Sequence, residues 1–162
     1  MNEDSLHQAE KFLHARIPLT RAMGLRVLRD GDHTFAIEAP VALNHNHLQT
    51  AFGGSINAVA TLAGYAFLWL ELREESAHVV IRASSIRFLR PVRESIRAVC
   101  EKISPRGLEA FRAGFRESGK ARIQLQVRVE EKGILAARFN ASFVALRGSA
   151  AEFSEATETR AS

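Results

Sequence analysis

The sequence predicts an α+β domain in which a mainly antiparallel sheet covers one long buried helix. The helix is predicted at about Phe52 to Glu71, where no side chain before Glu71 is charged. A helix that is apolar on nearly every side must be buried on nearly every side. The segments around it are rich in Val, Ile and Phe and are separated by tight turns, which favours antiparallel pairing. A curved sheet can cover one side of this helix, and a second copy of the chain can cover more.

Length and composition indicate one folded domain. The chain has 162 residues, of which 46% are hydrophobic, and a net charge of +4. We expect a single domain over residues 1–147 and a disordered tail over residues 148–162, which are small, polar and charged. The mild positive charge suits an anionic ligand such as a phosphorylated cofactor, and equally nucleic acid. One cysteine, Cys100, cannot form an internal disulfide, and the N-terminus lacks the layout of a signal peptide, so we expect a cytoplasmic protein.

The first part of the chain predicts a short helix followed by two strands. Ser5 to Gln8 fits a capping box, and apolar residues at helical spacing continue a helix to about Arg16, before Pro18 interrupts it. The two strands are predicted at Met23 to Arg29 and Thr34 to Ala39, around the turn Asp30-Gly31-Asp32. Pro40 ends the second strand, and Val41 to Ala51 is predicted to be a loop.

Four more strands are predicted after the long helix. They are Val79 to Leu89, Ser95 to Lys102, Ala121 to Glu130 and Ile134 to Leu146. The third of them alternates apolar and polar residues with a period of two, which is typical of a strand exposed on one face. A helix at Leu108 to Glu117 comes between the second and third, and Gly119 is predicted to end it.

The uncharged run from Leu48 to Leu70 is about long enough to cross a bilayer. It contains two glycines in succession and several polar side chains, where a membrane span is usually richer in Leu, Ile and Val. We therefore predict a buried core helix and no membrane association.

The start of this helix is the first candidate for a binding site. Gly53, Gly54 and Ser55 would present unpaired backbone N–H groups, and the helix dipole favours negative charge there. Glycine also lets a ligand approach the backbone closely. The alternative is that the two glycines only permit tight packing of the helix on the sheet.

Short motifs along the chain resemble one known family. They are Ile17-Pro18-Leu19 with Met23-Gly24, Asn44-His45-Asn46-His47, Thr50-Ala51-Phe52-Gly53-Gly54-Ser55, Leu62-Ala63-Gly64, Leu68-Trp69-Leu70, Ile86-Arg87-Phe88-Leu89-Arg90-Pro91-Val92 and Gly119-Lys120-Ala121-Arg122. Over about Phe12 to Arg147 they resemble the hotdog-fold thioesterases. The nearest resemblance is to the thioesterase-like domain that some bacterial proteins carry behind an N-terminal acetyltransferase domain. The Phe-Gly-Gly and Leu-Arg-Pro-Val motifs together are more specific for the fold than for the activity.

The resemblance implies an antiparallel sheet wrapped around the central helix, and two protomers that pair into a continuous sheet. It implies hydrolysis of an acyl-CoA or acyl-carrier-protein thioester by a homodimer or a dimer of dimers, with coenzyme A present only as part of the substrate. The thioester carbonyl would lie over the helix start, at Gly53, Gly54 and Ser55, beside Phe52.

The residue that activates water is the point where this chain departs from the family. Many hotdog thioesterases carry an Asp or Glu about two turns into the helix, and here that position is Thr61. Asn57, Thr61 and Tyr65 share one helical face at a spacing of four and could orient a water molecule. Alternatively, Asn57 and Thr61 are buried polar groups satisfied by the backbone or by a partner chain.

Three polar residues in the loop before the helix are further candidates. His45 or His47 could act as a general base, since a neutral imidazole accepts a proton near neutral pH. Asn46 could hold the water or the carbonyl. The alternatives are loop capping or a dimer contact for each of them. His-x-His also supplies two zinc ligands, but no second cluster lies near in sequence and we predict no metal site.

Two motifs suggest other hydrolases and are rejected. Ser55 nearly completes the nucleophile pattern Gly-x-Ser-x-Gly, but Asn57 breaks it, and hydrogen bonding at the helix start is the expected role of Ser55. The run from Gly114 to Ala121 resembles a phosphate-binding loop, but Ala121 replaces the Ser or Thr that would hold magnesium. Ser85, on the strand after the helix, is a weaker candidate for facing the cleft.

Arginines make the strand pair around Pro91 basic. They are Arg82, Arg87, Arg90, Arg93 and Arg97. Arginine binds phosphate with a forked geometry, and the resemblance implies that arginines near this turn meet the phosphates of coenzyme A. Arg90 and Arg93, which flank the turn, are the residues we select, and the others are expected to be solvated or structural.

Hydrolysis of an acyl thioester is therefore the leading hypothesis, and a non-catalytic acyl-CoA binding or regulatory module is the alternative. Nucleic-acid binding would rest on the arginines alone, with few exposed aromatic residues to stack on bases. A hotdog dehydratase is disfavoured because no acid–His pair has the spacing of those enzymes. The acyl group, the thiol carrier and the dimer or tetramer arrangement are left open by the sequence.

Overall fold

Six strands form one antiparallel sheet around a central helix in the computed structural model, which describes residues 2–31, 34–74 and 76–148. The strands are β1 (Arg26–Asp30), β2 (Thr34–Pro40), β3 (Ala77–Phe88), β4 (Ser95–Cys100), β5 (Lys120–Glu131) and β6 (Ile134–Arg147). The helices are α1 (Glu3–Arg16), α2 (Leu19–Ala22), α3 (Gly53–Leu72) and α4 (Pro105–Ser118), with a 3-10 turn at Val41–Leu43. The sheet order is β1-β2-β4-β5-β6-β3. The predicted α+β fold, with its antiparallel sheet and central helix, is confirmed.

Close packing against the sheet explains the small residues in the middle of α3. Gly64 lies where a Cβ atom would stand 2.8 Å from two ring carbons of Phe143 and 3.3 Å from a methyl carbon of Leu125. Contacts shorter than 3.0 Å are essentially absent from real Cβ atoms. A glycine here therefore lets the helix approach the inner faces of β5 and β6 without displacing a buried phenylalanine.

The helix α3 meets the length and hydropathy of a membrane span, but half of its most apolar window is buried inside the domain. Its sheet-facing side packs into the core, and α1 covers part of another side. There the Phe12 ring stacks on Trp69, with ring centroids 4.6 Å apart and an angle of 17° between the planes. These contacts give α3 the surroundings of a core helix.

The two edges of the sheet differ in how they are protected. The β1 edge is short and charged, and the N–H of Val27 donates to Glu10 Oε2 at 2.7 Å, so α1 caps it. The β3 edge runs over twelve residues and exposes Val80, Ile81 and Phe88. A long apolar edge strand is a template for pairing with another strand.

Some predicted boundaries are wrong, for local reasons. The N-cap of α1 is Asn2, whose Oδ1 accepts from the N–H of Ser5 at 2.9 Å, so Ser5 is not the cap. The strand β1 begins only at Arg26, because the preceding residues form α2 and a turn in which Gly24 has φ +64°. The turn residues 32–33 and residues 149–162 of the predicted tail lie outside the described residues.

The predicted helix between β4 and β5 is α4, and it ends as expected. Ser104 caps its start, accepting from the N–H of Gly107 at 3.1 Å, and Gly119 ends it with φ +68°. The rejected phosphate-binding motif is therefore the last turns of a helix and its glycine C-cap. It is not a loop that could enclose a phosphate.

Candidate active site

The loop that leads into α3 is anchored by a buried asparagine. Asn44 is only 4% exposed, and its Nδ2 donates to the carbonyl oxygens of Met23 at 2.9 Å and Pro40 at 2.8 Å. Its own carbonyl accepts from the N–H of Phe52 at 2.8 Å, and Ala51 N–H donates to Val92 O at 2.8 Å. These bonds fix the entry of the helix against the connection between β3 and β4.

The backbone N–H groups of Gly53, Gly54 and Ser55 form the first turn of α3. None of the three has a hydrogen-bond acceptor within the described residues. The first intrahelical bond runs from Ile56 N–H to Phe52 O at 3.0 Å. Phe52 is the N-cap and makes no side-chain cap bond. The Ser55 hydroxyl makes no hydrogen bond to the described chain either, so its expected helix-start bonding is not seen. An anion or a polarised carbonyl could accept from this turn.

Two aromatic rings flank this turn. A Cβ atom on Gly53 would lie 3.3 Å from the Phe88 ring, and one on Gly54 would overlap the Phe52 ring. Both rings are about half exposed, at 51% for Phe88 and 56% for Phe52. The two glycines therefore allow the aromatic rings to pack closely against the helix start, and they also let a ligand approach the backbone. The rings also make the surroundings of the amides apolar, which strengthens hydrogen bonds to developing charge.

Asn46 holds the loop together by its side chain. Its Oδ1 accepts from the N–H groups of Leu48 at 2.9 Å and Thr50 at 3.2 Å, and its Nδ2 donates to Thr50 Oγ1 at 3.1 Å. The backbone adds a bond from Asn46 N–H to Thr50 O at 2.7 Å. The geometry is that of an Asx-type turn, which corresponds to the loop-capping alternative for this residue.

The predicted polar face of α3 is present and half buried. Thr61 Oγ1 donates back to the carbonyl oxygen of Asn57 at 2.9 Å, which leaves its lone pairs available as acceptors. The Asn57 amide has no hydrogen-bond partner within the described residues. Tyr65 continues the face and lies beside Phe12, with ring centroids 6.3 Å apart. Burial raises the pKa of Tyr65, with Arg16 acting weakly in the opposite direction, so its hydroxyl is protonated at neutral pH.

The two loop histidines differ in their contacts. His45 Nδ1 lies 2.9 Å from the Asn46 carbonyl oxygen, whereas His47 is exposed and has no hydrogen bond to the described part of the chain. Within that part, no group of three His, Cys, Asp or Glu side chains is placed to hold a metal ion.

The register of β3 places Ser85 on the face opposite α3. Ser85 pairs with Asn140, whereas Ser84 pairs with Ala141 and shares the inner face with Phe88. A β-bulge between Ile81 and Ala83 shifts the alternation by one residue. The expectation that Ser85 faces the cleft is therefore not met within this chain, and Ser84 takes the inward position.

The arginines separate into structural and free groups. Arg97 is bound by three carboxylates, with nitrogen–oxygen distances of 2.7 Å to Asp30 and 3.5 Å to each of Glu38 and Glu130. Arg90 and Arg93 are exposed and have no acidic partner in the described ranges.

A carboxylate braces the turn that carries Arg90 and Arg93. Glu131 Oε1 accepts from the N–H groups of Arg93 at 2.8 Å and Glu94 at 2.7 Å. Burial acts to raise the pKa of Glu131, but the backbone donors of Glu94, Arg93 and Ser95, together with the charge of Lys132, outweigh it and the pKa is lowered. A cavity of about 400 Å³ lies beside Arg90, Lys132 and Ile134. A phosphate in this cavity could reach Arg90 and would share the wall with the Glu131 carboxylate, whose Oε1 is held by the two backbone N–H groups.

Comparison with known proteins identifies the family. Residues 6–147 match the family model described as "Putative thioesterase (yiiD_Cterm)". The chain belongs to this thioesterase family. The match covers every strand and the helix start described above.

Solved structures agree with this family assignment. A protein of unknown function from Chlorobaculum tepidum TLS is 29% identical, with a TM-score of 0.79 over 88% of this chain and 94% of that one. A putative thioesterase from Shewanella oneidensis is 26% identical, with a TM-score of 0.77 over 90% and 99% of the two chains. A probable thioesterase from Pseudomonas aeruginosa is 22% identical and shares the fold, with a TM-score of 0.74 over 88% and 95%. The thioesterase hotdog fold expected from the sequence is thereby confirmed.

Sequence reasoning missed the contribution of residues distant from the helix start. Phe88 reaches Gly53 only because the end of β3 lies beside the start of α3. Glu131, the last residue of β5, contacts the β3–β4 turn. The inward alternation of β3 could have indicated Phe88. No local pattern could have indicated Glu131.

Proposed function

We propose that this protein hydrolyses an acyl thioester of coenzyme A or of an acyl carrier protein in the cytoplasm. The observation that carries the proposal is the uncapped first turn of α3, whose three N–H groups lie between the rings of Phe52 and Phe88. Membership of the thioesterase family supplies the reaction class.

The thioester carbonyl oxygen would accept from the N–H groups of Gly53, Gly54 or Ser55. Water then adds to the carbonyl carbon, and the negative charge that develops on oxygen is stabilised by these amides and by the helix dipole. The carbon–sulfur bond then breaks. The thiolate takes up the proton that the water has lost and leaves as a thiol, and the acyl group leaves as a carboxylic acid.

The attacking water would be held by neutral groups. Thr61 offers hydroxyl lone pairs, Asn57 has a free amide, and both lie on the helix face that continues from the first turn. Asn46 is committed to its loop, so it would act by shaping the site, and the exposed imidazole of His47 could take the proton from the water.

Arg90 and Arg93 would bind the phosphates of a coenzyme A substrate. Both guanidinium groups are exposed without a carboxylate partner in the described chain, and Glu131 braces the turn that carries them. A carrier-protein substrate presents one phosphate on its prosthetic group. The loss of activity on removing both arginines should therefore be larger for a CoA ester than for the matching carrier-protein ester.

The active unit would be a homodimer, or a dimer of dimers, joined through the β3 edge. This edge exposes Val80 and Ile81, whereas the β1 edge is covered by α1 through the bond from Val27 N–H to Glu10. Pairing two β3 strands would continue the sheet across the interface and bring the inner face of a partner's β3 near the helix start.

Hydrolysis of a panel of acyl-CoA esters, followed by release of free thiol, tests the proposal. We expect the protein to hydrolyse acyl-CoA esters of at least one acyl chain length. If coenzyme A is not the natural carrier, we expect it to hydrolyse an acyl-carrier-protein ester instead. No turnover of either class by the folded protein contradicts it. Tight binding of acyl-CoA without hydrolysis would instead establish the alternative of a non-catalytic acyl-CoA module, which the lack of a helix carboxylate at Thr61 favours.

A further inference from the structure

A second, larger cavity lies near the opposite end of α3 from the first turn. It has a volume of about 600 Å³, within the range of cavities that bind small ligands. Its walls come from the start of β2, the last turns of α3, the end of β4 and the start of α4. Phe67, which lines it, is thirteen residues beyond Gly54, so about 20 Å of helix separates the cavity from the proposed thioester site.

The cavity exists because α4 is inserted between two strands that are neighbours in the sheet. Antiparallel neighbours can be joined by a two-residue turn, whereas residues 101–119 separate β4 from β5 here. The helix α4 is anchored by its buried Phe111 and Phe115, and Arg147 stacks on the Phe115 ring at 4.9 Å. An ion pair between Arg112 and Glu71 ties α4 to α3. The cavity therefore has walls that are held in place without a ligand.

The lining is mainly apolar, and its charged residues are Glu71, Glu101 and Lys102. Phe35, Phe67, Ile103 and Leu108 supply side-chain surface that suits a hydrocarbon chain. Both acidic residues of the lining have an arginine nearby. Glu71 is paired with Arg112, and Glu101 lies 3.8 Å from Arg128.

Lys102 is the remaining charged residue of the lining. It is exposed and has no carboxylate partner in the described parts of the chain. We propose that this cavity binds a fatty acid, with its alkyl chain among Phe35, Phe67 and Leu108 and its carboxylate beside Lys102. The site is distinct from the helix start, and its existence does not depend on whether the protein hydrolyses thioesters.

Calorimetric titration with dodecanoate, below its micelle concentration, tests the site. Leu108→Trp should weaken binding at least tenfold by obstructing the cavity. Lys102→Gln should weaken it about threefold, as expected for one exposed charge contact. Lys120→Gln removes a similar exposed charge that does not line the cavity and should leave binding unchanged. Dodecyltrimethylammonium, with the same chain and the opposite charge, should bind more weakly than dodecanoate.

The proposal is overturned if dodecanoate does not bind to the wild-type protein. It is also overturned if folded Leu108→Trp binds normally, which would put the ligand elsewhere. A change of oligomeric state in Leu108→Trp without any dodecanoate binding to wild type would indicate that a second copy covers the cavity.

Discussion

Gly53 occupies the N1 position of α3, where proline is tolerated because the N–H of that residue has no intrahelical partner. The preceding Phe52 has φ −65° and ψ 134°, which is compatible with a following proline. Gly53→Pro therefore removes one candidate oxyanion donor with little cost to the helix. Loss of such a donor lowers kcat by about 10²–10³-fold, and we expect a fall of this size for an acyl-CoA substrate.

Gly53→Ala is the matched control for this substitution. It keeps the N–H and adds a methyl group 3.3 Å from the Phe88 ring, which is half exposed and able to move. We expect kcat to fall by no more than about tenfold, given the small steric change. Equal kcat values in the two variants would show that the Gly53 amide does not stabilise the transition state.

Thr61 is the second residue that can be tested singly. Thr61→Val keeps the shape but removes the hydroxyl that donates to Asn57 O and can accept from a water molecule. Thr61→Ser keeps the hydroxyl. If Thr61 holds the attacking water, kcat should fall by about tenfold or more in the valine variant and stay close to wild type in the serine variant, measured on the same acyl-CoA. Similar kcat values in both would assign Thr61 a packing role.

At the scale of elements, two glycine substitutions with opposite expected effects on the free energy of unfolding test the packing of α3 on the sheet. Gly64→Ala places a methyl group 2.8 Å from the buried Phe143 ring and should lower the free energy of unfolding by about 1–3 kcal/mol. Gly114→Ala in α4 meets its nearest atom at 3.8 Å and should raise it by about 0.5–1 kcal/mol through helix propensity. Urea denaturation of both variants checks the signs. Stabilisation by Gly64→Ala would contradict the close approach.

The β3 edge is the element that the proposed dimer depends on. Val80→Lys puts a charge on this edge, where Val80 is 45% exposed, and should raise the dimer dissociation constant at least tenfold by sedimentation equilibrium. Leu19→Lys changes a similarly exposed leucine, at 54%, on α2 and should leave association unchanged. If both variants associate like wild type, the interface lies elsewhere.

Most helices and strands were predictable because they depend on local periodicity. The errors occur where contacts between residues distant in sequence determine which way a side chain faces. The alternation of Ile123, Leu125 and Val127 identifies β5 without knowledge of its neighbours. The face of Ser85 could not be assigned, because the bulge after Ile81 reverses the alternation. The start of α3 was predicted within one residue, but the ring of Phe88 beside it depends on the pairing of β3 with β6.

At the scale of the whole molecule, the buried thiol of Cys100 links stability to pH. Burial, with a smaller contribution from Glu101, raises its pKa to about 12 from an ordinary value of 9.0. Between these values the unfolded chain has lost the thiol proton while the folded protein retains it. Between these two pKa values, this group should therefore lower the free energy of unfolding by about 1.4 kcal/mol for each unit that the pH rises. Below about pH 8 it should have no effect.

Cys100→Ala isolates that contribution, since every other titrating group is unchanged. Urea unfolding at about pH 8 and about pH 10 should show that the wild type loses about 1 kcal/mol more than the variant. Parallel losses would mean that the thiol is not shielded from solvent in the folded state.

The central claim is that the first-turn amides of α3 polarise a thioester carbonyl. A crystal structure with a ketone analogue of an acyl-CoA, in which a methylene group separates the carbonyl from sulfur, tests it most directly. We predict that the ketone oxygen lies about 2.7–3.1 Å from at least one backbone nitrogen of Gly53, Gly54 or Ser55. A ketone bound elsewhere, with these three N–H groups facing solvent, would contradict the account.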